Sequence, residues 1–312
     1  MYRICKFESA GLENWGLVQD DSVIPIRGNH ITDFIDSNWK VSVSADTKIP
    51  LQNIRLLSPF TPPCNVICQG KNYIEHIKET GMSPDDKDYN LFFMKANSSL
   101  SPAVGKVVRP KHVQLLDYEV EMALIIRKPI LNSITVTEGN LHEYVAGITL
   151  ANDISARDIQ IPQGQWFKGK SYRTFCPVGP YVVLLDREDF KQVPNLRITL
   201  KVNGEIRQDS YIRNMIFSPA ETLTELSGIM NLYPGDLVLT GTPSGVALKA
   251  PGGLVKRIAS LLLSEKKMMK IFVQKQLEIN RYLKDEDQIE ATLRTEAGTI
   301  DTGVIKLKVT AS

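Results

Sequence analysis

The chain has 312 residues, 43% of them hydrophobic and 23% charged, with 37 Lys and Arg against 35 Asp and Glu. That length builds a sizeable core in one large domain or two unequal ones, and the composition is that of an ordinary soluble globular protein. A formal charge of +2 gives no reason to expect nucleic acid as a partner.

In chain order, the opening stretch MYRICKFESAGLENWG lacks the apolar segment of a signal peptide. No later run approaches the roughly 20 apolar residues of a transmembrane helix, so a cytoplasmic protein is expected. Residues 1–55 read as short strands and turns, a small β-rich N-terminal module. The three prolines of LLSPFTPPCN then suit a rigid, extended connector. Cys64 and Cys68 have no second Cys or His pair at zinc spacing, so these two, with Cys5 and Cys176, read as reduced thiols. Strands are expected at 66–68, 117–126, 147–152, 181–185, 196–202 and 237–239, with Asn203-Gly204 as a type I′ hairpin turn. Helices are expected at 72–81, capped by Asn72, at 220–230, and at 254–283. Many strands with few interleaved helices exclude a doubly wound parallel sheet and point to an α+β, mainly β fold with peripheral helices.

The segment LLDYEVEMALII carries Glu119 and Glu121 two residues apart, hence on one face of a strand, with Tyr118, Val120, Met122, Leu124 and Ile126 on the other. Such a pair is either an ordinary solvated face or two ligands for one hard cation, since same-face Cβ atoms lie about 7 Å apart. Asp153, at the end of the apolar strand in LANDISARD, is a candidate third ligand. His76 and Glu79 stand at i and i+3 of a short helix, either a surface pair or a carboxylate-oriented imidazole able to activate water. Two glycine-rich loops, GQWFKGKS with Lys168 and Lys170 and PGDLVLTGTPSGV with Gly241 and Thr242, are either turn chemistry or anion-binding backbone.

Taken together and in this order, GKNYIEH, DYEVEMALII, GITLANDISARDIQ, WFKGKSYRTFCPVGP, VNGEIRQ, MIFSPAE and YPGDLVLTGTPSGV resemble the fumarylacetoacetate hydrolase family over about 56–246 and again from Tyr282. The acylpyruvase and 2-hydroxyhepta-2,4-diene-1,7-dioate isomerase members are the nearest in character. The resemblance implies a β-roll or sandwich catalytic domain over 56–312 and a homodimer. It implies Mg²⁺ or Mn²⁺, with Ca²⁺ also compatible, held by Glu119, Glu121 and Asp153. It further implies His76 and Glu79 as the water-activating pair on a lid, Lys170 and Gln160 as catalytic partners, and Tyr73, Arg157, Gly241 and Thr242 as substrate-binding residues.

The implied activity is metal-dependent C–C hydrolysis of a β-diketo acid, of acylpyruvate or fumarylpyruvate type, through a pyruvate enolate. The alternatives are oxaloacetate decarboxylation or dienoate isomerisation and tautomerisation on the same site, or a non-catalytic member that recruits a partner or membrane. Three positions depart from the family pattern: Ala247 replaces a glycine, Arg127 replaces another, and about 25 extra residues precede the last strands. The helix expected in that insertion has eight Lys or Arg against two Glu over 254–284. It suits an acidic partner or anionic membrane, or else packs its apolar stripe on its own protein.

Overall fold

A computed structural model describes residues 1–35, 48–79, 89–249 and 264–312. The chain forms two large sheets with helices at their margins. The main sheet begins as an antiparallel meander of Tyr2–Ser9, Leu12–Gln19 and Ser22–Ile26. The outer edge of Tyr2–Ser9 pairs with Val182–Leu184, so the N-terminal strands continue the main sheet. From there the order runs through Val145–Asn152, Val120–Ile126, Leu237–Leu239 and Val66–Gly70 to Leu91–Lys95. The second sheet is ordered Glu205–Tyr211, Arg197–Val202, Gln288–Arg294, Asp301–Ala311, Val104–Arg109.

The glutamate strand, Val120–Ile126, lies at the centre and is buried throughout. Tyr118, Val120, Met122, Leu124 and Ile126 join the largest apolar cluster, with Ile198, Leu200, Leu293 and Ile305 of the second sheet. Ala123 and Ile125, on the glutamate face, join a second cluster with Trp15, Phe34 and Leu239. The solvated-face reading of this strand therefore fails: both faces are packed, as in an interior strand. Asn203 and Gly204 take φ of 51° and 82°, as a type I′ turn requires, between paired strands.

The helices differ from the expected ones. The first runs Ile74–Glu79, and Thr80 and Gly81 lie outside the described residues. Asn72 does not cap it. Its Nδ2 donates to Gln69 Oε1 and to the Phe217 and Thr240 carbonyls, while its Oδ1 accepts from the Phe217 N–H. The second helix runs Pro219–Ser227 behind a Ser218–Glu221 capping box. Of the helix expected at 254–283, residues 254–263 lie outside the described residues, and Glu265–Glu278 is helical. It stops there because Asn280 turns left-handed (φ 52°) and Leu283 is drawn into a bridge with Leu116. Phe272 and Val273 pack against the main core, so this helix rests on its own protein. Among the described residues, no helix is long and apolar enough to cross a membrane.

Close strand packing makes Gly147 obligatory: a Cβ there would stand 2.0 Å from the Val183 carbonyl oxygen. Gly147→Ala should cost about 1–3 kcal/mol through forced backbone shifts, seen as a lower denaturant midpoint with unchanged slope.

Candidate active site

The pairing register assembles the site. Val120 stands opposite Asn152, the Asn152 side chain accepts from the Glu119 N–H at 3.0 Å, and the Asp153 N–H donates to the Glu119 carbonyl at 2.8 Å. Asp153 therefore leaves its strand beside Glu119. Glu119, Glu121 and Asp153 are all buried, and each offers a carboxylate oxygen within 4.8 Å of the others. Three hard oxygen donors on a rigid strand pair suit Mg²⁺, Mn²⁺ or Ca²⁺.

The charges around the triad are uneven. Arg157 Nη2 donates to Glu119 at 2.5 Å, and Lys170 Nζ bonds both Glu119 and Asp153, the latter at 2.5 Å. Lys95 Nζ donates to the other Asp153 oxygen at 2.5 Å. Burial alone would raise the Glu119 carboxyl, but Arg157 and Lys170 outweigh it and hold the group far below the usual carboxylate range. Among the described residues, Glu121 receives one hydrogen bond, from the Gly241 N–H at 2.8 Å. Burial, with Asp153 and Glu119 beside it, pushes the Glu121 carboxyl well above the ordinary range. With Asp117, which pairs with Arg157 Nε at 2.9 Å, four buried carboxyl groups face three buried cations among the described residues. A divalent ion held by the triad would favour the ionised form of Glu121 and leave the site with a net positive charge toward an anion. The three oxygen donors, with Glu121 outside every ion pair among the described residues, therefore fit such a cation.

The remaining expected residues sit as follows. Gly241, at φ 88°, brings its N–H to Glu121, and a Cβ would meet Asn72 Cβ at 2.8 Å. Thr242 donates to the Val120 carbonyl and accepts from Gln208 Nε2, so its hydroxyl is engaged within the fold. Arg157 spends its guanidinium on Asp117, Glu119 and the Gln160 carbonyl oxygen. Lys168 is exposed, away from this network. Tyr73 is buried with a hydroxyl that has no partner among the described residues, and the charge of Glu121 acts on it. His76 is buried, and its Nδ1 lies 3.6 Å from Glu79 Oε2, a charge contact longer than a hydrogen bond. Partial burial opposes ionisation of Glu79, but His76, the Gly245 N–H at 3.0 Å and Lys249 outweigh it and keep the carboxyl below its usual range.

Two members of the network escape sequence reading. Lys95 ends an apolar strand, where a lysine is ordinarily a solvated terminus. Asp117 accepts from Arg157, from its neighbour's N–H and from the Ala247 and Leu248 N–H groups at 2.8 and 3.1 Å. The DYE order itself was its only signal.

A mainly β fold with a buried, cation-flanked carboxylate triad defines a site of the class that takes a hard divalent ion. The chain belongs to the fumarylacetoacetate hydrolase family, for residues 65–306 match the model for the fumarylacetoacetate (FAA) hydrolase C-terminal region. An uncharacterised protein of Methanocaldococcus jannaschii is 40% identical over 194 residues, 62% of this chain and 78% of that protein. A mitochondrial oxaloacetate tautomerase of Rattus norvegicus is 38% identical over 201 residues, 64% of this chain and 62% of its own length. The match thus spans less than two thirds of that tautomerase. A fumarylacetoacetate hydrolase from Exiguobacterium antarcticum superposes with a TM-score of 0.76 at 31% identity, each chain covered completely.

Removing Arg157 would leave buried Asp117 with backbone N–H donors alone among the described residues and Glu119 with Lys170 as its remaining ion pair. Arg157→Met should cost about 3–5 kcal/mol of unfolding free energy, read by chemical denaturation. Mg²⁺ or Mn²⁺ at about 100 times Kd should stabilise the wild type by about 2.7 kcal/mol in a thermal-shift titration, and Glu121→Gln should abolish most of that gain.

Proposed function

We propose that the chain is a divalent-metal enzyme acting on the keto–enol system of a small 2-oxo acid, with tautomerisation of an oxaloacetate-type dicarboxylate as its reaction. The observation that carries this reading is the charge arrangement among the described residues: four buried carboxyl groups, three buried cations, and one carboxyl, Glu121, outside every ion pair. Relatives named oxaloacetate tautomerase support it.

A divalent ion held by Glu119, Glu121 and Asp153 would supply a Lewis acid at the 2-oxo oxygen, making the adjacent C–H acidic and favouring enolate character. Lys95 and Lys170 neutralise Asp153 and Glu119 and add positive potential for the substrate carboxylates. His76, oriented by Glu79, carries the proton between the enol oxygen and carbon 3. Buried Tyr73, with its hydroxyl unpartnered among the described residues, offers a donor to the oxygen where charge develops. Gln160, its Oε1 held by Arg157, has its amide nitrogen to offer as a second donor.

Hydrolytic C–C cleavage of a β-diketo acid is the second reading. The observation favouring it is the same His76–Glu79 contact, because a carboxylate-oriented imidazole also deprotonates water. Decarboxylation of oxaloacetate would use the same metal and need no such base.

Loss of the enol absorbance of oxaloacetate should stop with EDTA and return with Mg²⁺ or Mn²⁺; turnover without metal would sink the proposal. His76→Ala should lower kcat/KM for the enol by at least about 100-fold while metal binding is kept. Intact enol conversion in that variant, with acylpyruvate cleavage abolished, would select the hydrolytic reading.

A further inference from the structure

The helix Glu265–Glu278 takes no part in the chemistry just described, yet it carries a buried polar side chain, Gln276, only 4% exposed. Gln276 Nε2 donates to the Lys249 carbonyl at 2.6 Å. Its Oε1 accepts from the Lys249 N–H at 3.1 Å and from the Tyr282 hydroxyl at 2.6 Å. One side chain thereby satisfies both backbone groups of one residue, as a neighbouring strand would. Just beyond the helix, Arg281 Nη2 donates to the Gly245 carbonyl at 3.1 Å.

The loop gripped in this way, residues 245–249, is the one that holds Glu79. The Gly245 N–H reaches Glu79 Oε2 at 3.0 Å, and Lys249 Nζ reaches Oε1 at 3.3 Å. Other contacts already fix the loop's beginning and middle. A Cβ on Gly245 would stand 1.9 Å from the Arg207 carbonyl oxygen, and Asp117 takes the N–H groups of Ala247 and Leu248. Only the placement of Lys249 is left to Gln276. The Lys249 ammonium is about half exposed, at 45%. An exposed lysine orders a carboxylate weakly unless its backbone is fixed.

We propose that Gln276 is a positioning residue for the His76–Glu79 pair, holding Lys249 so that its ammonium and the Gly245 N–H together fix the Glu79 carboxylate beside the imidazole. This inference rests on the reading of His76 and Glu79 as the proton-carrying pair. It gives the helix a task in turnover through the chain Gln276, Lys249, Glu79, His76, with no contact to substrate.

The test uses the full chain loaded with Mg²⁺ or Mn²⁺ and oxaloacetate enol as substrate. Gln276→Met keeps the volume and removes every hydrogen bond of the clamp. It should lower kcat by about tenfold, a fraction of a full acid–base contribution, with KM held within about twofold. Lys249→Met, a surface change that leaves the helix intact, should lower kcat comparably, and the double variant should be no worse than either alone. Hydrogen exchange at residues 74–79 should quicken in Gln276→Met while Val145–Asn152 stays protected, which separates a loosened pair from a misfolded chain. An unchanged kcat in Lys249→Met, or losses that multiply in the double variant, would overturn the proposal. Should the wild type turn over no 2-oxo dicarboxylate, exchange decides alone. Faster exchange at 74–79 then supports the clamp and counts only against the functional reading, whereas unchanged exchange overturns the clamp.

Discussion

A carboxylate taken out of water must be met by a cation or by several N–H donors, or it gives up its charge, and in this fold that demand falls on four carboxylates in one small volume. Asp117, Glu119 and Asp153 are linked through Arg157, Lys170 and Lys95 into one alternating chain of charges. Glu121 lies beside that chain with a single backbone donor. Much of the surrounding architecture follows from keeping these groups together. The strand register sets Asp153 against Glu119, the short helices Arg157–Gln163 and Trp166–Lys170 deliver two cations, and the edge strand Leu91–Lys95 delivers the third.

The arrangement is costly to the fold and useful to a ligand. Glu119, Asp153, Arg157 and Lys170 each hold two oppositely charged partners in a low-dielectric interior, which makes the network rigid. Glu121, outside every ion pair among the described residues, is in turn the group that a hard cation would engage. Stability and ligand affinity are therefore coupled through the same groups, and the site is preorganised because its side chains are already fixed by one another.

Part of this was legible in the sequence because it obeys short-range rules. The spacing of Glu119 and Glu121 on a strand, the Asn203-Gly204 turn and the His76–Glu79 helical spacing each depend on only a few neighbouring residues. What was hidden depends on partners far along the chain. Asn72 looks like a helix cap, yet its side chain bridges Gln69, Phe217 and Thr240, up to 168 residues away. Lys95 looks like a strand end, and only the approach of Asp153 makes it part of the site. The helix near the C-terminus was read too long because Leu283 keeps helical spacing while tertiary pairing with Leu116 claims it. Local periodicity cannot register such competition.

The way Asp117 holds the loop after Thr242 has a consequence for how this chain tolerates change. Its two oxygens accept from the backbone N–H groups of Ala247 and Leu248, groups that nearly every amino acid possesses. Docking of this kind is blind to side-chain identity, so alanine can stand at position 247, its methyl simply absorbed into the core. The blindness stops at Lys249, whose ammonium reaches Glu79 while Gln276 takes its backbone. One end of the loop is thus free to vary in side chain, and the other is tied to a particular residue.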